Sequence, residues 1–135
     1  SKDAGIWFVS GYEELAAKRI APYIPAGALI VVSFPEPYFL TTNNPTHSIA
    51  DAPPYLYLPA GVFDGDEVFI VEDEGMRQVF PRFSLFLHDH LAQYSNLRIP
   101  FPEIFRYGGV RSKPTGDLVL YKIPLQTLKQ RIQEN

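Results

Sequence analysis

Two short apolar runs constrain the fold of this chain more than anything else in it. Ala28-Leu29-Ile30-Val31-Val32, ending at Ser33, and Glu67-Val68-Phe69-Ile70-Val71 show no polar alternation. A strand that is apolar on both faces has to be covered on both faces, as in a parallel sheet packed between helices. Each run then stops abruptly. The first meets Phe34-Pro35-Glu36-Pro37, where proline cannot extend a central strand. The second meets Glu72, Asp73 and Glu74.

The segments around these strands read as helices. Ser10-Gly11-Tyr12-Glu13 has the S-x-x-E spacing of a capping box. Behind it Tyr12, Leu15, Ala16, Ile20, Tyr23 and Ile24 form an apolar stripe, with Glu13, Glu14, Lys18 and Arg19 expected to face water. Pro22, Pro25 and Gly27 end that unit. A short helix at Pro37 to Leu40 is expected to stop at Thr41-Thr42-Asn43-Asn44-Pro45, with loop from Thr46 to Pro54, a short strand at Tyr55 to Leu58 and turns at Pro59-Ala60-Gly61 and Asp64-Gly65-Asp66. Met76, Val79, Phe80, Phe83, Phe86, Leu87, Leu91 and Tyr94 share a helical face that Pro81 breaks. Glu103 to Tyr107 and Leu118 to Ile123 read as paired strands across a hairpin-like loop, and Pro124 opens a last helix through Leu125, Leu128 and Ile132. The sum is a single α/β domain over residues 1–135, a small sandwich with a mostly parallel central sheet, helices packed on it and an antiparallel C-terminal strand pair.

Composition removes several function classes. At 135 residues and 46% hydrophobic content, with ten Phe and eight Tyr, the chain can build one real core. Its net charge of -3, with both signs interspersed, provides no field for phosphate backbones, so nucleic acid is not expected as a partner. Absence of cysteine rules out disulfides, thiolate metal sites and cysteine nucleophiles. No apolar run approaches the ~20 residues of a membrane span. A chain that opens at Ser1 without methionine reads as part of something larger.

The motifs point away from catalysis. His88-Asp89-His90 has the residue types of a metal site, but on a helix the two imidazoles are about 200° apart, whereas helical ligands sharing a metal sit at i and i+4. His47 adds no spacing signal. Ser33 follows a strand, yet V-S-F-P-E lacks the glycines of a nucleophile elbow. Gly108-Gly109 matches no phosphate-binding loop. No metal and no cofactor is expected. Glu36 with Tyr38, and Glu72 with Asp73, follow the two strands. If those strands are neighbours, the four meet at the carboxyl edge of the sheet, where open α/β sheets bind ligands. Aromatic rings beside carboxylates suit sugar hydroxyls or a cation. The same acids also serve simply as solvated loop groups and helix N-terminal charge.

The succession Gly11-Tyr12-Glu13-Glu14-Leu15-Ala16, Ile24-Pro25-Ala26-Gly27-Ala28 through Ser33, Tyr38-Phe39-Leu40-Thr41-Thr42-Asn43, Val68 to Asp73, and Phe105-Arg106-Tyr107-Gly108-Gly109 leading to Leu118-Val119-Leu120-Tyr121-Lys122-Ile123 resembles one family. That family is the soluble extracytoplasmic C-terminal domain of polytopic, polyprenyl-phosphate-dependent glycosyltransferases of the dolichyl-phosphate-mannose-protein mannosyltransferase-like group. The resemblance implies a noncatalytic domain on the periplasmic or cell-surface side of a membrane protein. Its partners would be the transmembrane region of the parent and a carbohydrate or lipid-linked sugar, with the transferase carboxylates outside this stretch. The Phe34 to Pro37 segment, Pro53-Pro54 and the long last helix depart from the family pattern. The alternative reading is a free-standing small-ligand-binding domain using the Glu36, Tyr38, Glu72, Asp73 edge.

Overall fold

A computed structural model of the protein describes residues 11–49, 67–102, 104–107, 110–114 and 116–134. The elements run α1 (Tyr12–Ile20), a 3-10 turn (Ala21–Tyr23), β1 (Leu29–Val32), α2 (Pro35–Thr42), β2 (Thr46–Ser48), β3 (Glu67–Glu72), α3 (Glu74–Val79) and α4 (Pro81–His90). A second 3-10 turn (Ala92–Tyr94), β4 (Ser95–Ile99), β5 (Ile104–Tyr107), β6 (Val110–Pro114), β7 (Leu118–Pro124) and α5 (Leu125–Glu134) follow among the described residues. Among the described residues five strands form one mixed sheet in the order β2-β1-β3-β7-β4, and β5 and β6 pair separately. The protein is α/β, with β2, β1 and β3 parallel and β7 antiparallel to both β3 and β4.

The apolar runs sit where their lack of alternation requires. Leu29 and Val31 of β1 and Val68 and Ile70 of β3 point to one face, where Met76, Phe86, Leu87, Leu125 and Leu128 of α3, α4 and α5 cover them. Ile30, Val32, Phe69 and Val71 point to the other, under Tyr12, Ala16, Ala17 and Ile20 of α1 and Tyr38 of α2. Every residue of β1 is buried. A period-2 backbone covered on both sides has no position left for a polar residue.

Several boundaries differ from the sequence reading for local reasons. Helix α1 starts at Tyr12, with Gly11 at its N-cap in the left-handed region at φ 100 and no side-chain cap. Ser10, the expected cap, lies outside the described residues. Glu13 is buried, not solvated. Helix α2 begins two residues earlier than expected because Pro35 takes its first position, where a missing N–H costs nothing. Its end is closed by Asn43 at φ 59, whose N–H donates to Phe39 O at 2.7 Å. Asn44 then receives Gly27 N–H at 3.3 Å and donates to Pro25 O at 2.9 Å, tying the turn before β1 to the turn before β2.

Strand β2 occupies a stretch read as loop. Thr46, His47 and Ser48 lack an apolar pattern because an edge strand is only half-covered. Strand β4 went unread for the same reason. The break at Pro81 is present, with α3 and α4 on either side of Phe80. The expected pairing of Glu103 to Tyr107 with Leu118 to Ile123 is replaced by a local hairpin: β5 pairs with β6, and β7 enters the main sheet between β3 and β4. The strand and turns expected between Tyr55 and Asp66 lie outside the described residues, as do Pro53-Pro54 and Gly108-Gly109. Among the described residues no helix is long and apolar enough to cross a membrane.

Leu120, fully buried on the α1 face, sets a simple expectation. Leu120→Ala costs about 2–5 kcal/mol in urea denaturation. Leu85→Ala on the outer face of α4, where the side chain is 58% exposed, changes stability by about 0.5 kcal/mol or less.

Candidate functional site

Strands β1 and β3 are adjacent and parallel, and their following helices leave on opposite faces, α2 over one and α3 with α4 over the other. Divergence of this kind opens a crevice outside the carboxyl ends of the two strands. Asp73, the first residue after β3, is wholly buried there. Its Oδ1 accepts from the N–H of Met76 at 2.8 Å, capping α3, and from Ser33 Oγ at 3.2 Å. Its Oδ2 accepts from the Tyr38 hydroxyl at 3.0 Å. One carboxylate thus joins the exit of β1, helix α2 and the start of α3. Gly75 makes the approach tight, since a Cβ there would stand 3.1 Å from the Phe34 ring and 3.2 Å from Ser33 Oγ.

Helix α1 reaches the same place. The Tyr12 hydroxyl accepts from Glu74 N–H at 2.7 Å, and its ring meets Phe101 edge-on at 5.2 Å between centroids. Burial, then the charge of Asp73, pushes the Tyr12 and Tyr38 hydroxyls well above the usual tyrosine range. Burial also raises the Asp73 carboxyl, against the bonds from Met76, Tyr38 and Ser33 that favour its ionised form. Glu13 is 6% exposed, and its Oε1 has no hydrogen-bond partner among the described residues. Burial first, with Asp73 and Glu14 adding repulsion, pushes its carboxyl up to about 7.

Glu72 belongs to the opposite face. As the last residue of β3 it is 1% exposed and accepts from Ser84 Oγ and from His88 Nε2, the latter 2.9 Å from Oε2. Ser84 and His88 are one helical turn apart on α4, so both reach the same carboxylate. The Arg77 guanidinium stands 3.9 Å away, bonds Glu74 at 3.0 Å and donates to Asp117 O at 2.8 Å. Burial and the nearby Glu72 push the Tyr121 hydroxyl up to about 12. His90 instead turns its ring toward Phe86, 5.3 Å away. Among the described residues no three His, Cys, Asp or Glu side chains are grouped to hold a metal ion.

Of the four residues expected to meet at the strand ends, the structure joins Tyr38 to Asp73 and places the other two elsewhere. Glu72 points through the sheet to α4, because successive strand side chains alternate faces. Glu36 is exposed in the first turn of α2 and lines a groove of about 540 Å³ between α2 and α1. Glu14 and Lys18 form the α1 wall, and Phe34, Leu40 and Thr41 the other. A second concavity of about 540 Å³ lies across the molecule, where Phe80, Phe83, Phe86 and Ile132 surround one cation, Arg82. Sequence reasoning, which weighed Ser33 only as a nucleophile, missed Tyr12, Glu13 and Ser84. The i, i+4 spacing of Ser84 and His88 was the one local signal for any of them.

Comparison with family models, curated proteins and solved structures finds no match to this chain.

The two hydrogen-bond partners of Glu72 are expected to differ in weight. Ser84→Ala removes a buried donor to a carboxylate and costs about 1.5–3 kcal/mol. His88→Ala, whose side chain is 54% exposed, costs about 1 kcal/mol or less because water and salt screen it. Urea denaturation of the two variants at pH 7 measures the order.

Proposed function

We propose that this domain is a noncatalytic recognition module on the extracytoplasmic side of a membrane glycosyltransferase-like protein. Its carbohydrate ligand lies in the groove between α1 and α2. The observation that supports this reading most is the groove's make-up, with a lining that includes Phe34 to Pro37, the segment that leaves β1. Glu14 and Glu36 offer acceptors, Lys18 and Thr41 offer donors, and Phe34 and Leu40 offer apolar surface. Sugars present hydroxyls at their edge and C–H groups on their faces, which is the combination these six side chains complement. The noncatalytic part rests on how the two acids at the end of β3 are used. Asp73 and Glu72 each spend their oxygens on protein donors, leaving neither facing a reactant. Attachment to a transmembrane region, and the periplasmic or cell-surface location, rest on the family resemblance alone.

Titration of the isotopically labelled domain with a panel of mono- and disaccharides tests this. Amide shifts are expected to move at residues 14–18 and 34–41, and at ligand tenfold above Kd the domain gains about 1.4 kcal/mol, roughly 5 °C in Tm. Glu14→Gln together with Glu36→Gln removes the gain. Shifts confined to other surfaces, or none with any saccharide at 50-fold the protein concentration and above, up to about 0.1 M, contradict the reading.

A further inference from the structure

Helix α1 is held by packing on its inner face and by a group ill suited to that place. Tyr12, Ala16, Ala17 and Ile20 seat it on the sheet. Glu13, in its first turn, is carried into the same interface with one carboxylate oxygen unpartnered among the described residues. A buried carboxyl with a free oxygen tolerates its neutral form far better than its charged one, since an unpaired buried charge is among the costliest groups in a protein. Its surroundings reinforce this. Among the described residues the acids that face it are Asp73 at the end of β3 and Glu14 on α1 itself, with Glu74 on α3 acting on the adjoining Tyr12. The Tyr38 and Tyr12 hydroxyls contribute no charge, and Arg77 of α3 is the cation acting on Tyr12 and Asp73. Arg77 is already engaged by Glu74 and Glu72. Asp73, with three donors on its two oxygens, is built to be the charged member of the pair; Glu13 is left as the one that keeps a proton.

We infer that Glu13 is a proton-operated latch on α1, seating the helix when its carboxyl is neutral and loosening it when the carboxyl ionises. Because Glu14 and Lys18 on α1 form one wall of the groove, the latch makes that wall pH-dependent; this consequence, unlike the latch, rests on the groove being the ligand site. The sign follows from linkage. The folded carboxyl titrates at about 7 against 4.5 for the free side chain, so the seated helix holds a proton that the loosened one releases. The stabilisation is complete below the lower value and is lost as pH rises through the upper one. Between them the opening equilibrium of α1 grows by as much as tenfold per pH unit, then levels off.

Hydrogen exchange of residues 15–20, corrected for intrinsic exchange rates and referenced to the amides of β3, measures that equilibrium without any ligand. From pH 5 to 8 the wild-type domain is expected to open progressively more at α1 up to about pH 7, with β3 unaffected by the local event, while Glu13→Gln is flat. A carbon-detected titration of the Glu13 carboxyl in the wild-type protein does not depend on the variant folding, and its midpoint is expected near 7. A midpoint near 4.5, pH-independent α1 protection, or the same slope in Glu13→Gln overturns the latch. Saccharide titration of the same samples at pH 5.5 separates the two readings: absent binding there, with α1 opening still following Glu13, removes the groove reading and leaves the latch standing.

Discussion

A carboxylate shut away from water must find its donors within the protein, and in this domain Asp73 finds them on three different elements. Ser33 at the exit of β1, Tyr38 inside α2 and the backbone of Met76 in α3 converge on its two oxygens. That requirement fixes where the chain can go after each of the two central strands. Helix α2 must bring Tyr38 inward, α3 must begin at Asp73, and Gly75 must let Phe34 and Ser33 come close. The groove at the carboxyl edge is what remains on the outside once these contacts are made.

The two acids that end β3 show how much one position matters in a strand. Asp73 turns to the α1 and α2 side and organises the crevice, while Glu72, one residue earlier, faces α4 and gathers Ser84 and His88. Sequence alone placed both at the end of a strand. Assigning them to opposite faces requires knowing where β3 stops and which helix covers each face, and both are tertiary facts.

The framework was legible because it depends on strong local signals. Unbroken apolar runs without alternation marked β1 and β3 as central and parallel, Pro81 marked the break between α3 and α4, and Leu125, Leu128 and Ile132 marked the last helix. What was not legible depends on partners distant in sequence. Thr46 to Ser48 is polar because β2 lies at the edge, so no pattern announced it. The pairing of β7 differs from the expectation because Val110-Arg111-Ser112-Lys113-Pro114 is too polar to announce a strand, whereas Leu118 to Ile123 is apolar. The candidate site was half legible: Tyr38 and Asp73 do meet, but Glu13, placed on the wet side of α1 by its charge, is among the most buried acids described. Helix α1 carries small residues at Ala16 and Ala17, which bring its backbone close to the sheet and take the neighbouring first-turn side chain inside with it.

Asp73 and Tyr38 act as one unit that locks α2 to the end of β3. A double-mutant cycle of Tyr38→Phe and Asp73→Ala, measured by urea denaturation at fixed pH, isolates their coupling from the separate loss of the α3 cap. A coupling of about 1–3 kcal/mol is expected, with the double variant less damaged than the sum of the singles. Additivity within about 0.3–0.5 kcal/mol would show that the two groups contribute independently and would contradict it.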